Sequence, residues 1–144
     1  MNTSKQPLLE LALSIATEAH RGQFDKVGID YIEHPIFIAS QVDSEEEKAV
    51  ALLHDVIEDS PVTAEELLNA GLPETVVTAV QILSKKKGQD YQTYLKTVKS
   101  NPLARAVKLA DLKHNSDLSR LETITDKDLE GLEKYKKAID YLSM

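Results

Sequence analysis

The chain has no cysteine. That excludes disulfides and thiolate chemistry and fits a cytoplasmic location. No stretch approaches the roughly 18 consecutive apolar residues of a membrane span, so no membrane segment is expected. The opening Met1-Asn2-Thr3-Ser4-Lys5-Gln6-Pro7 lacks the apolar core of a signal peptide. Basic charge is also scarce: 17 Lys and Arg stand against 24 Asp and Glu, a formal charge of −7. Such a surface is poorly suited to nucleic acid or to anionic membranes. The one basic cluster, Lys85-Lys86-Lys87 before Gly88, reads as a solvated turn. An acidic chain can still take an anionic phosphate where a bound cation reverses the local field.

Strand signals are few and helix punctuation is dense. With 144 residues, 42% of them hydrophobic, the chain suits a single domain over 1–144 with a substantial core. Leu8, Leu11, Ala12, Ile15 and Ala19 recur at three- and four-residue intervals, an amphipathic helix ending near His20. Gly22 and Gly28 mark a loop from Arg21 to Glu33. Pro35 reads as the first position of a second helix, reaching about Gln41, with His34 at the loop–helix junction. Ser44 with Glu47 forms a capping box for a third helix, expected to run unbroken to about Asp59 and stop at Ser60-Pro61. Thr63 with Glu66 starts a fourth, closed by Gly71, and Pro73 opens a fifth through about Leu83. Asp90 caps the sixth and Asn101-Pro102 starts the seventh. Thr125 with Asp128 starts the eighth, ending near Leu142. The expectation is an all-α bundle of about eight helices.

The third helix carries the most informative run, Leu52-Leu53-His54-Asp55-Val56-Ile57-Glu58-Asp59. On an unbroken helix His54 would neighbour Glu58 and Asp55 would neighbour Asp59. Three carboxylates and an imidazole among apolar residues are costly to desolvate unless a cation neutralises them. The seventh helix places Asp111 and Asn115 one turn apart. His34, His54, Asp55 and Asp111 are the candidate ligands, a nitrogen/oxygen set suited to Mn²⁺, Fe²⁺ or Zn²⁺. His20 reads as a helix-end histidine against the last carbonyls, and His114 as a packed or hydrogen-bonding one. Glu45-Glu46-Glu47 complements the helix dipole and is not a site.

Four segments carry a resemblance: Ala19-His20-Arg21-Gly22-Gln23, Tyr31-Ile32-Glu33-His34-Pro35, Leu52 to Asp59, and Lys108-Leu109-Ala110-Asp111-Leu112-Lys113-His114-Asn115. In this order they resemble the HD-domain metal-dependent phosphohydrolases. More specifically they resemble the hydrolase domain of RelA/SpoT proteins and their small stand-alone relatives, from about Leu8 to Asn115 and more weakly beyond. The resemblance implies an HD-domain helical bundle, here a stand-alone module. It also implies removal of the 3′-pyrophosphate from guanosine tetra- or pentaphosphate with Mn²⁺ as cofactor. Carried over by position, His34, His54, Asp55 and Asp111 would hold the metal. Glu58 and Asp59 would orient and deprotonate the attacking water, and Asn115 would contact the sugar or phosphate. A metal polarises the phosphoryl oxygen and acidifies water, and a nearby carboxylate takes the proton.

The sequence departs from the family pattern in the loop before His34. Asp25 and Lys26 stand where the family has an arginine followed by a lysine or a small residue. Asp30 replaces a proline, and Leu112 replaces the arginine of the Asp-Arg-x-His-Asn motif. Lys26 keeps one positive charge near the substrate and is a candidate binding residue. Asp25 cannot stack on a base and repels phosphate, so weak selectivity for guanine is expected. Two other readings are a nucleotide-binding or sensor module without turnover, and a purely structural helical domain.

Overall fold

A computed structural model describes residues 7–25, 27–117, 121 and 123–144. Among these the backbone forms nine helices. They are α1 Leu8–Ala19, α2 Glu33–Ser40, α3 Glu45–Leu53, α4 Val56–Asp59, α5 Ala64–Asn69, α6 Glu74–Leu83, α7 Tyr91–Ser100, α8 Pro102–Asn115 and α9 Asp126–Ser143. The expected all-α class holds. None of the described helices is long and apolar enough to cross a membrane.

Local capping chemistry sets most helix starts. Ser44 with Glu47, Thr63 with Glu66 and Thr125 with Asp128 each form a reciprocal capping box. The carboxylate of Asp90 accepts from Thr93 N–H, and the Asn101 side chain from Ala104 N–H ahead of Pro102. Each such cap satisfies donors that the first helical turn cannot pair internally.

α3 is the central helix. Its residues Ala49, Val50, Ala51, Leu52 and Leu53 are all buried, as expected of a helical half that is apolar all round, while Glu45, Glu46 and Glu47 begin the helix. It packs against α1, α2, α6 and α8, while α8 also meets α7 and α9. Burying side chains such as Leu53, Leu67, Leu95 and Leu112 stabilises the bundle by about 1.5–3 kcal/mol each. The two helices that carry the acidic motifs are therefore held face to face by core packing.

Two boundaries differ from the sequence reading. The third helix does not run to Asp59: it ends at Leu53, and α4 begins at Val56. An unbroken helix would give the Ala51 carbonyl to Asp55 N–H. Here that carbonyl accepts His54 N–H at 3.5 Å and the imidazole Nδ1–H of His54 at 2.6 Å. The break falls before Asp55, and the turn from Asp55 to Asp59 stays α-helical, with Asp59 N–H to Asp55 O at 2.9 Å. The second helix starts at Glu33 rather than Pro35, so His34 lies within its first turn. Pro35 is tolerated there because the first helical N–H groups have no intrahelical partner.

The loop between α1 and α2 is tightly braced. Phe24 and Asp30 form an isolated antiparallel bridge, flanked by Asp25 N–H to Ile29 O at 2.9 Å and Tyr31 N–H to Gln23 O at 2.8 Å. Asp25 Oδ1 accepts the N–H groups of Val27 at 2.9 Å and Ile29 at 3.0 Å. Gly28 has φ +84°, a backbone state that side chains oppose.

Candidate active site

The histidine–aspartate cluster forms where α2, the α3–α4 break and α8 meet. His34 Nε2 lies 2.9 Å from Asp111 Oδ1. His54 Nε2 lies 3.7 Å from the same oxygen and 3.1 Å from Asp55 Oδ2. One donor atom from each of His34, His54 and Asp111 falls within 4.8 Å of the others. These three side chains thus converge, and Asp55 adjoins them through His54.

Neighbouring groups orient each member. His54 Nδ1 is committed to the Ala51 carbonyl, which aims Nε2 at the carboxylates. The Tyr31 hydroxyl donates to Asp55 Oδ2. Asp111 receives Asn115 Nδ2 on Oδ1 at 3.3 Å, and Lys108 Nζ lies 3.5 Å from its Oδ2. Such outer partners fix the rotamer and lone-pair direction of a ligand set.

The donor set fits a divalent cation. His54 is only 4% exposed, and its Nε2 has no hydrogen-bond partner despite the two carboxylates nearby. A cation shared with Asp111 and His34 would give this nitrogen the well-directed partner that its 3.1 Å ion pair with Asp55 does not. Burial disfavours the His54 imidazolium, yet the charges of Asp55 and Asp111 outweigh this and raise its pKa well above the ordinary value. Burial likewise pushes Asp55 up, but the adjoining His54 holds it down at about 2. Asp111 is also held well below the usual carboxylate range: its hydrogen bond from His34 and its neighbours His54 and Lys108 overcome its burial.

A cleft of about 530 Å³ opens over the cluster, within the range of small-molecule sites. His34, Asp55 and Asp111 line it together with Asn115. Phe24 and Val27 of the braced loop stand on one side, and Lys127 and Tyr135 of α9 on another. Asp25 lines the same cleft, but its Oδ1 accepts two backbone N–H groups in the loop's own turn. Lys26 lies outside the described residues.

The remaining residues singled out from sequence fall around this centre. Glu58 and Asp59 are exposed, and neither lines the 530 Å³ cleft. Glu58 Oε1 accepts Lys85 N–H at 2.9 Å, and Glu58 also lines a smaller cavity of about 130 Å³ with His54, Asp55 and Lys108. Partial burial of the Asp59 carboxyl, followed by the charges of Asp55 and Glu58, raises its pKa. His20 does not cap carbonyls with its ring: it is buried, and its Nδ1 meets Gln23 Oε1 at 2.9 Å. Tyr31 and Lys108 were not singled out by motif spacing. Tyr31 lies 24 residues from Asp55, whereas Lys108 carried a local signal three positions before Asp111.

No family profile matches the chain. Among curated proteins it is 34% identical over 134 residues to the guanosine-3′,5′-bis(diphosphate) 3′-pyrophosphohydrolase MESH1 of Danio rerio, covering 83% of this chain and 74% of that protein. It is 39% identical over 116 residues to a guanosine-3′,5′-bis(diphosphate) 3′-pyrophosphohydrolase of Haemophilus influenzae, covering 70% of this chain but 17% of that protein. The bifunctional (p)ppGpp synthase/hydrolase SpoT of Escherichia coli is 34% identical over 123 residues, with 74% and 17% covered. The chain thus spans only 17% of the length of these two bacterial relatives. A solved structure described as a metazoan ortholog of SpoT that hydrolyzes ppGpp superposes with a TM-score of 0.74 at 25% identity, covering 98% of this chain and 88% of that one. By sequence over most of the Danio rerio protein, and by fold, the chain belongs to the HD-domain, RelA/SpoT-type family of guanosine-3′,5′-bis(diphosphate) 3′-pyrophosphohydrolases.

Proposed function

We propose that residues 1–144 form one HD-type domain that hydrolyses a phosphorylated nucleotide in the cytoplasm, with guanosine 3′,5′-bispyrophosphate as the leading substrate and Mn²⁺ as the metal. The observation that carries this reading is the convergence of donor atoms from His34, His54 and Asp111 within 4.8 Å, with His54 buried and His34, Asp55 and Asp111 lining a nucleotide-sized cleft. His34, His54, Asp55 and Asp111 hold the metal. When bound, it supplies Lewis-acid polarisation of the phosphoryl group and lowers the pKa of water.

The chain's own residues do the rest. The cleft is lined by more carboxylates than cations, so a polyanionic substrate needs the metal's charge to enter. Asn115 donates one amide hydrogen to Asp111 and has a second donor for a sugar or phosphate oxygen. Lys26 supplies a positive charge to the substrate. Asp59, with its raised proton affinity, takes a proton from the attacking water together with Glu58. Tyr31 keeps its own proton because burial and the Asp55 charge push its pKa up, so it remains a donor that orients Asp55.

A second reading, binding or sensing without turnover, is favoured by the engagement of Glu58 with Lys85 N–H. One experiment separates the two: a nucleotide panel offered to the Mn²⁺-loaded protein, with phosphate and pyrophosphate detection and parallel binding measurements. Pyrophosphate release from guanosine 3′,5′-bispyrophosphate supports hydrolysis. Tight binding with no release from any nucleotide supports the sensor.

A further inference from the structure

His114 was expected to be merely packed or hydrogen-bonded. It lies against the candidate ligand His34. The two Nδ1 atoms are 2.9 Å apart although the residues are 80 positions apart. Their rings meet edge to edge, close to coplanar, with centroids 5.0 Å apart and an interplanar angle of 23°. Phe37, one turn beyond His34 on α2, also packs on His114 with centroids 4.4 Å apart. The His114 ring is thus held in place by two α2 side chains.

Two facing imidazole nitrogens form a hydrogen bond only if one carries the proton and the other does not. A histidine that offers Nε2 to a cation keeps its proton on Nδ1 and donates it outward. Without a cation, His34 Nε2 donates to Asp111 at 2.9 Å; with Nε2 given to a cation, the ring's proton would sit on Nδ1, the outward donor, and His114 Nδ1 would be the acceptor. His114 must then carry its own proton on Nε2. The contrast with His54 is informative. Its Nδ1 donates to the Ala51 carbonyl, a group that can only accept. His34 depends instead on a partner with two tautomers, only one of which works.

We propose that His114 is a positioning residue for the metal centre: by accepting the Nδ1 proton of His34, it fixes the tautomer and ring plane in which His34 Nε2 is presented to the cation. This rests on the reading of His34 as a ligand. Its consequence is measurable in metal affinity without any turnover.

The test compares Mn²⁺ and Zn²⁺ titrations of metal-free wild type, His114→Phe and His114→Asn, with thermal unfolding monitored for each. Phenylalanine keeps an aromatic ring against Phe37 and removes the acceptor, so affinity should fall about 10- to 100-fold. Asparagine places an acceptor oxygen near the lost Nδ1 and should recover most of that loss. Equal affinity of the Phe variant and wild type overturns the proposal, as does an Asn variant no better than Phe. If wild type itself binds no metal, the ligand assignment fails and the proposal falls with it. Long-range ¹H–¹⁵N NMR of the Zn²⁺-loaded wild type decides even if the Phe variant does not fold. The proposal requires a protonated His34 Nδ1 and an unprotonated His114 Nδ1, and the reverse pattern overturns it.

Discussion

The imidazole of His54 gives its Nδ1 proton to the carbonyl of Ala51 at 2.6 Å. This one bond connects the fold to the chemistry. It occupies the carbonyl at which α3 ends, and it turns Nε2 toward Asp55 and Asp111. The helix break is therefore part of how the site is assembled, since the Ala51 carbonyl that an unbroken helix would give to Asp55 N–H holds the His54 ring instead.

Asp55 is expected to matter for both metal and stability. In Asp55→Ala the Tyr31 hydroxyl loses its acceptor and His54 loses its nearest carboxylate. The Tyr31 hydroxyl is part-buried, so leaving it unsatisfied should cost about 1 kcal/mol, the lower end of the range for a buried group. Urea unfolding of the metal-free variant should show a loss of that size, and elemental analysis should show little or no bound metal. A variant as stable and as metal-rich as wild type would remove Asp55 from the ligand set.

Helix starts were legible because they are written locally: Ser44 with Glu47, Thr63 with Glu66 and Thr125 with Asp128 are three residues apart, and all three boxes form. The family's ordered motifs likewise pointed to His34, His54 and Asp111, whose donor atoms converge. The α3 break was not legible, because it depends on a histidine side chain turning back onto its own helix. Nor were the Tyr31–Asp55 and His34–His114 contacts, which tertiary packing brings together across 24 and 80 residues. Periodicity carries no information at such separations.

Glu58 and Asp59 should separate chemistry from binding. Glu58→Gln retains an oxygen that can accept Lys85 N–H but cannot take a proton at neutral pH. Metal content and unfolding midpoint should stay near wild type, while turnover falls by about 10²-fold or more. Asp59→Asn should also slow turnover, to a lesser degree. Near wild-type rates in both would place the proton acceptor elsewhere.

Metal binding should release protons. His54 has a folded-state pKa well above its usual 6.5, so the metal-free site holds that proton at pH 7, and ligation requires the neutral ring. Calorimetric titration at pH 7 in buffers of different ionisation enthalpy should show release of about one proton per metal, and affinity should weaken as pH falls. Asp55 has the opposite sign. Its pKa is lowered from 3.8 to about 2, so its stabilising contribution to the metal-free protein is present above about 4 and is lost as pH falls toward 2. Acid unfolding curves of wild type and Asp55→Asn should converge in that window. Buffer-independent enthalpy would show that the cation binds without displacing a proton from His54.

Substrate choice turns on Asp25. The sequence alone suggested that arginine at this position would improve guanine binding if the side chain faces the base, and change little if the loop folds differently. The structure gives Asp25 a job in the loop itself, since its Oδ1 holds the N–H groups of Val27 and Ile29. Asp25→Arg removes both bonds and should loosen the loop without lowering KM for guanosine 3′,5′-bispyrophosphate. Asp25→Asn keeps an acceptor oxygen while deleting a negative charge at the cleft wall. It should therefore lower KM modestly, by about two- to fivefold, the scale of one partly exposed charge interaction. Wild type should discriminate weakly between guanine and adenine analogues, because no arginine stands at this position to stack on the base. A tenfold fall in KM for the Arg variant, with the loop intact by NMR, would show instead that this position reads the base. Strictly guanine-specific turnover by the wild type would place base recognition on other residues of the cleft and leave the metal chemistry standing.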